Sequence, residues 1–200
     1  DTTSDAVQLP LAVQTPNHER LWKELKPWLN PSSREDELYL FQNPSSPQSL
    51  ALEWLFNDSF TLSENNVTEA VLERYALAVL YFSTSGTSWG DTFNFLTEGD
   101  ICTWNAGRGS SPSDYMEYEL GLTCQDAPYE LLVNLTGIGL NGTLPWELRL
   151  LSHMVSFDVS ENSLEGTIPT ELSRLSALRA LDLGGPFSEP KLNSLSGTLP

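Results

Sequence analysis

One stretch of the chain has the residue types and spacing of a dinucleotide site. Residues 137–142, Gly-Ile-Gly-Leu-Asn-Gly, match G-x-G-x-x-G, and Asp158 follows at roughly the spacing of an acid that binds ribose. Such a site needs a helix that begins at the last glycine. The residues that follow are instead Thr-Leu-Pro at 143–145, which recur further along the chain as Thr-Ile-Pro at 167–169. We therefore interpret the glycines as part of a repeat and expect no cofactor.

Two histidines and many carboxylates are the other candidates for chemistry. His18 lies in the N-terminal segment and His153 lies within the repeats, and nothing near either suggests the convergent geometry of a catalytic triad. We expect both to be ordinary surface or packing residues, and we expect no metal site. Two of the carboxylates could serve as the acid and base of a glycosidase. Because the sequence shows no pocket for a sugar, this enzyme stays a third alternative.

A repeat whose period is the offset from Pro145 to Pro169 organises the C-terminal third of the chain. The positions shared by the first two copies are Val133, Leu135, Leu140, Gly142, Leu144, Pro145 and Leu148, opposite Phe157, Val159, Leu164, Gly166, Ile168, Pro169 and Leu172. A third copy is longer, and removing seven positions from the run 185–192 restores its register. We expect those seven positions to form a surface loop, because Gly and Pro residues there disfavour regular structure.

The spacing within one copy has a physical explanation. Alternating apolar residues such as Phe157 and Val159 predict a short strand with one buried face, and Asn162 is suited to turning the chain after it. A single unit cannot bury its apolar edge, so the units must stack, with parallel strands and a cap at each end. The first copy has Ile138 in the place of this asparagine, which indicates an atypical repeat beside a cap.

These residues resemble a known family. The pattern L-x-L-x-x-N-x-L-x-G-x-I-P is that of leucine-rich repeats, whose units have lengths like the period found here, and its Gly-x-Ile/Leu-Pro ending resembles the plant-type class. The resemblance implies an α/β solenoid, a right-handed superhelix with a parallel sheet along its concave face. The third copy reaches Pro200 without a closing cap, so we expect the natural protein to continue.

The segment before the repeats resembles the N-terminal cap of plant-type leucine-rich repeat proteins. The string at 73–89, followed by Cys102-Thr-Trp and by Cys124, is most similar to the cap of secreted and receptor-like members from diatoms and related algae. Residues 51–58 also resemble that group, whereas the insert at 105–121 is longer than in plant caps. The resemblance implies a mainly helical cysteine-containing cap (46–130) followed by the repeats (131–200). Residues 1–45 match no family pattern, and we interpret them as an N-terminal arm with a short helix.

Apolar periodicity predicts the helices of the N-terminal part over 18–29, from Ser46 onward, and over 68–82. Ser46 followed by proline is typical of an N-cap and a first helical residue. Asn66 with Glu69 resembles a capping box for the longest helix. We interpret residues 89–125 as mainly loop.

The resemblance to a secreted cap also implies that Cys102 and Cys124 are bonded. The alternative from the sequence alone is two buried thiols. A disulfide closing a loop of this size would stabilise the fold by about 3 kcal/mol in the chain-entropy model. Sequons at Asn57, Asn66, Asn134 and Asn141 agree with an oxidising secretory route. We therefore expect a glycoprotein that is secreted or displayed at the cell surface.

The formal net charge of −17 is concentrated before the repeats. Residues 1–130 carry 20 acidic and 6 basic side chains, whereas 131–200 carry 7 and 4. A surface this acidic repels phosphate backbones, so we expect no nucleic-acid partner. No run of residues approaches the apolar length of a membrane span, so we expect no membrane contact from this segment. The charge either serves solubility or attracts a cationic partner.

The family resemblance implies non-enzymatic recognition of a protein or peptide, or of a cell-wall glycan, through the sheet. The register places the following candidate binding residues on its outward strand positions: Asn134, Thr136, Ser156, Asp158, Ser160 and Asp182. Neighbouring strands lie about 4.8 Å apart, so Asp158 and Asp182 should either attract a cation or a basic side chain or simply form a solvated pair. The alternative is a structural subunit of an extracellular assembly, in which caps and edges contact neighbouring subunits.

Overall fold

The computed structural model of the protein describes residues 15–29, 40–105, 120–126, 129–184 and 193–199. The predicted loop at 185–192 and most of the predicted N-terminal arm lie outside these residues. The division at 45/46 and 130/131 stays a prediction. Among the described residues, no helix combines the length and the apolar character that crossing a membrane requires.

Helices build the N-terminal half. Their bounds are Pro16–Leu29 (α1), Pro47–Asn57 (α2), Ser59–Ser63 (α3) and Glu69–Ser83 (α4). The predicted N-cap of α2 is confirmed, since the Ser46 hydroxyl accepts a hydrogen bond from the Ser49 N–H at 3.1 Å. All residues from 71 to 81 are buried, as expected for a helix that is largely apolar on every side. Helix α4 therefore forms the centre of the part of the structure that precedes the repeats, which we call the cap.

The predicted capping box before α4 is wrong. The N-cap of α4 is Thr68, whose side chain makes no capping hydrogen bond. Just before it, the Val67 N–H donates to the Glu24 carboxylate of α1 at 2.9 Å. The start of α4 is therefore stabilised by a contact with α1. We had expected the side chains of Asn66 and Glu69 to cap it locally.

The segment between α4 and the repeats contains more regular structure than the mainly loop path that we predicted. It has 3-10 turns at Gly86–Ser88 (η1) and Ile101–Thr103 (η2), and a strand at Gly121–Asp126 (β1). The sequence hid β1 because its apolar alternation is limited to Leu122 and Cys124, which is too short to identify a strand. Cys102 and Cys124 are bonded, with Cα atoms 5.4 Å apart, so the expected disulfide is present and joins η2 to β1.

The repeats contribute to two sheets. The first sheet has the order β1-β2-β4-β6, with β2 at Tyr129–Asn134, β4 at Met154–Asp158 and β6 at Ala180–Asp182. Strand β1 is antiparallel to β2, and the others are parallel. The second sheet is parallel, with the order β3-β5-β7: Asn141–Thr143, Ser163–Thr167 and Ser194–Ser196. A 3-10 helix follows each of the first two turns, at Trp146–Leu150 (η3) and Thr170–Arg174 (η4).

A buried asparagine links the first two repeats. The Asn162 side-chain oxygen accepts the N–H groups of Gly139 and Leu140, both at 2.9 Å. Its amide donates to the Leu135 carbonyl at 2.8 Å and to carbonyls of its own turn. Asn193 occupies the same place one repeat later and accepts the Leu164 N–H. These asparagines satisfy buried backbone groups that no strand can reach, as buried polar groups require.

The cap closes the first repeat directly. Ile138, where the asparagine is missing, is buried, and its carbonyl accepts the Gly90 N–H at 2.7 Å. The Asn141 N–H donates to the Thr84 carbonyl at the end of α4. A Cβ atom on Gly142 would lie 2.1 Å from the Ser83 carbonyl oxygen, so only glycine permits this approach. One cluster of buried side chains consequently runs from the helices into both sheets.

Candidate functional site

The outward face of the four-stranded sheet carries the residues predicted to bind a partner. We use this name for Asn134, Thr136, Ser156, Asp158 and Asp182, which lie on or just after β2, β4 and β6. Asn134 pairs with Asp158, and Asp158 with Asp182, across neighbouring parallel strands. Ser156 lies two positions before Asp158 on the same face. Asn134, Asp158 and Asp182 therefore form one polar column, and Thr136 and Ser156 lie beside it.

The three residues of the column share a local role that the sequence analysis missed. An Oδ1 atom of each accepts the backbone N–H two positions further on, at 3.2 Å for Asn134, 3.0 Å for Asp158 and 3.0 Å for Asp182. Asparagine and aspartate commonly close turns in this way. Each side chain consequently ends its strand as well as facing outward. Because Asn134 does this without charge, the turn alone does not require an aspartate.

The hydroxyl residues beside the column are tied to it. Thr136 Oγ1 donates to Asn134 Oδ1 at 2.9 Å, and Ser160 Oγ donates to Asp158 Oδ1 at 2.6 Å. Ser160 is only 7% exposed. The prediction that Ser160 faces a partner is therefore wrong, because its hydroxyl turns back to hold Asp158. Among the described residues, Asp158 and Asp182 form no ion pair; Asp182 is exposed and Asp158 is half-buried.

A second candidate site is a cleft of about 250 Å³ between the cap and the repeats. We call it the His153 cleft. Its walls include Phe60 of α3, Asp100 before η2, Tyr129 at the start of β2 and His153 just before β4. Glu69 and Glu73 extend into it from successive turns of α4, since positions four apart share a helix face. The fold thus gathers six chemically active or aromatic residues from five separate parts of the chain.

Glu73 forms the floor of the His153 cleft. Its side chain is 4% exposed, and Oε1 lies 3.1 Å from His153 Nδ1. The Tyr129 hydroxyl donates to its Oε2 at 3.4 Å. Burial raises the pKa of the Glu73 carboxyl, while its contacts with His153 oppose that rise. Burial, together with the neighbouring Glu73 and Asp100 charges, raises the pKa of Tyr129 above its ordinary range.

Arg74 also lines the cleft, and its charge is already paired. Its side chain is 1% exposed and donates to both oxygens of the buried Asp58. Further hydrogen bonds reach the carbonyls of Gly99 and Thr97. Its guanidinium also lies over the rings of Phe60 and other aromatic residues. Breaking a buried pair of this kind costs roughly 3 to 5 kcal/mol, so Arg74 serves the cap and leaves the cleft acidic.

His153, which we expected to be a surface or packing residue, is half-buried and contacts two carboxylates. Its Nε2 lies 3.7 Å from Glu69 Oε2, its Nδ1 contacts Glu73, and its ring meets Tyr129 edge to face at 5.0 Å. The sequence analysis did not indicate these contacts, because Glu73 lies 80 residues away in sequence. His18, by contrast, stacks on Phe56 at 4.9 Å, in agreement with a packing role.

One group of metal-ligating atoms occurs among the described residues. Asp100, Cys102 and Cys124 have such atoms within 4.8 Å of one another. Both sulfurs are bonded to each other, whereas a metal would need free thiolates. This group is therefore explained by the disulfide.

A third notable carboxyl is buried where the cap covers the first repeat. Glu147 of η3 is fully buried, and within the described part of the chain neither oxygen has a hydrogen-bond partner. Burial raises the pKa of Glu147 to about 7, and the nearby Gln48 amide and Arg149 offset part of that rise. The hydroxyl of Tyr75 in α4 is likewise buried and without a partner there. The joint between cap and repeats thus contains a carboxyl that titrates near neutral pH.

The four sequons differ in accessibility. Asn57, Asn66 and Asn141 are exposed, whereas Asn134 is half-buried and its Oδ1 is occupied by Thr136. Asn57 ends α2 and Asn66 precedes α4. An attached glycan could project into solvent at the exposed sites, so glycosylation there stays a prediction.

Comparisons with known proteins find matches among solved structures alone. No family model matches the chain, and no curated protein matches it. Among the matching solved structures is the leucine-rich repeat ectodomain of the receptor kinase SOBIR1 from Arabidopsis thaliana, at 19% sequence identity and a TM-score of 0.33. The match covers 55% of this chain and spans about half of that ectodomain, 52%.

Proposed function

We propose that the chain is a capped leucine-rich repeat module that recognises a protein or peptide outside the cell, without catalysis. The regular sequence period and the two sets of parallel strands support a leucine-rich repeat solenoid. The bonded Cys102 and Cys124 and the exposed sequons support a secreted or cell-surface location, because disulfides persist in oxidising compartments.

The observation that carries this proposal is the column of Asn134, Asp158 and Asp182. Recognition is assigned to the outward face because these side chains stand in register on adjacent strands. Two neighbouring carboxylates repel each other, which raises their affinity for a cation or a basic side chain. A partner is therefore expected to place a lysine or arginine against Asp158 and Asp182.

The test is a selection of peptides from a displayed library on the immobilised protein. The matched variant is Asp158→Asn with Asp182→Asn, which removes both charges and keeps the acceptor that closes each turn, as Asn134 does. The selected peptides should be enriched in lysine and arginine. They should bind the variant at least tenfold more weakly, about 1.4 kcal/mol, and with less dependence on salt. Peptides that bind the wild type and the variant equally would contradict recognition by the outward face. They would favour binding through the cap or the sheet edges, as expected for a structural subunit.

A further inference from the structure

We propose that the His153 cleft binds a small organic cation, an alkylammonium or alkylguanidinium group. This site is separate from the outward face and does not depend on the function proposed there. The cavity, and not its carboxylates alone, defines the site, because it combines a limited volume, aromatic walls and a buried acid at the floor.

The charge of the cleft requires a cationic occupant. Glu69, Glu73 and Asp100 all line it. Arg74 also lines the cleft, but its guanidinium is already paired with Asp58. The Glu69 and Glu73 carboxylates contact the His153 ring, and Tyr129 adds a hydrogen bond to Glu73. An anion or a neutral polar group would leave this excess of negative charge uncompensated. A cation would neutralise it in a partly enclosed place, where charges interact more strongly than in water.

The walls favour an organic cation. Phe60 and Tyr129 offer aromatic rings, and Ile101 and Ala70 add aliphatic surface. Aromatic faces attract ammonium and guanidinium groups, and aliphatic walls suit the carbon stem behind such a head. A metal ion fits less well, because the carboxylates of the cleft and His153 do not form a cluster of converging ligand atoms among the described residues.

The volume limits the ligand to one head group and its stem. About 250 Å³ is below the roughly 300 to 1,000 Å³ of pockets that enclose drug-sized ligands. The cation could come from an arginine or lysine side chain of a protein partner or from a free amine or guanidine. The chemistry is the same in both cases, and the two sources can be separated by experiment.

The experiment is an NMR titration of the intact protein with n-butylguanidinium, n-butylammonium and the neutral analogue n-butylurea. The chain has two histidines, so the ring signal of His153 reports on the cleft while that of His18 in α1 serves as an internal control. The cations should shift the His153 signal saturably, with millimolar or tighter Kd, and n-butylurea should bind at least tenfold more weakly. No saturable shift, or equal binding of n-butylurea, would overturn the proposal.

Variants assign the binding to the cleft. Glu69→Gln with Asp100→Asn removes two charges, and Asn at 100 keeps the acceptor for the Cys102 N–H. This pair should weaken n-butylguanidinium binding at least tenfold, whereas the exposed control Glu165→Gln should leave it unchanged. Unaltered binding by the pair would contradict the site.

An acetyl-Gly-Arg-Gly-amide peptide that binds as well as n-butylguanidinium indicates a protein side chain as the source. Binding of n-butylguanidinium alone indicates a free cation.

Discussion

The first and second repeats have matching sequences and different surroundings. In the first repeat Gly142 touches the backbone of Ser83, and Glu147 is fully buried under the cap. In the second repeat Gly166 meets only the Thr143 side chain, and the equivalent Glu171 is partly exposed. The same repeat position is therefore expected to tolerate fewer substitutions in the turn beside the cap than in the next turn. The comparison teaches that the role of a repeat residue depends on what covers its turn, which the repeat pattern does not contain.

The largest expected effect is at the glycines of this comparison. Gly142, Gly166 and Gly197 all have positive φ, so alanine is strained at each of them. Gly142→Ala also meets the Ser83 carbonyl at 2.1 Å, Gly166→Ala meets a movable side chain at 3.1 Å, and Gly197→Ala has nothing described within 4 Å. We expect urea denaturation to show losses above about 4, about 2 and about 1 kcal/mol. Equal losses for the three variants would mean that the close contact between Gly142 and the cap does not affect stability.

The next effect concerns the buried asparagines. Asn162→Ala leaves the buried Leu140 N–H and the partly buried Gly139 N–H without an acceptor, at roughly 1 to 3 kcal/mol for a buried group, so we expect a loss of about 3 kcal/mol. Asn193→Ala leaves one such group in a less buried place and should cost about half as much. In the first repeat the cap supplies the bonds around Ile138 instead. A milder loss for Asn162→Ala than for Asn193→Ala would contradict this division of roles.

A smaller effect, opposite in sign, is expected at Glu147. Its folded-state pKa of about 7 lies above the ordinary value of 4.5, so the folded protein holds this proton more tightly than the unfolded chain. Stability from this group is therefore full below about pH 4.5, falls as the pH rises, and is lost above about pH 7. A shift of this size corresponds to about 3 kcal/mol.

The matched pair Glu147→Gln and Glu171→Gln checks this expectation. At pH 8, Glu147→Gln should stabilise the protein by about 3 kcal/mol and should flatten the pH dependence of unfolding between pH 4.5 and 7. Glu171→Gln is a partly exposed change and should stay within about 0.5 kcal/mol. Destabilisation by Glu147→Gln at pH 8 would indicate an unrecognised partner for the carboxylate at the joint.

The smallest effect separates the two roles of the outward column. Asp158→Ala removes the acceptor for the Ser160 N–H and should lower stability by about 1 kcal/mol. Asp158→Asn keeps that acceptor, so its stability should match the wild type within about 0.5 kcal/mol. Equal losses in thermal or urea unfolding would show that the charge, and not the turn, stabilises the strand end.

The outward column could be predicted because a repeat is a local pattern. Asn134, Asp158 and Asp182 lie one repeat period apart, and the same offset sets their pairing in the sheet. Helix α2 was likewise predictable from its Ser46 cap. The hydroxyl of Ser160 was misjudged because strand alternation does not describe the residue that leaves the strand.

The His153 cleft could not be predicted, since it depends on contacts between distant segments. His153 and Glu73 are separated by 80 residues, and no local motif joins them. Strand β1 was hidden for a related reason, because its pairing with β2 and its disulfide define it more than its own sequence does. The burial of Glu147 follows from where α4 lies. Such features could be found from sequence only through covariation between the cap and the repeats.

The central claim, recognition by the outward face, can be tested on every exposed carboxylate at once. The protein is labelled with a carbodiimide and glycine ethyl ester, with and without a saturating selected basic peptide, and the labelled sites are quantified by peptide mass spectrometry. We predict that the peptide protects Asp158 and Asp182, while the exposed Glu165 on the second sheet is labelled equally in both samples. Protection of Glu165 with unchanged labelling of Asp158 and Asp182 would contradict the account.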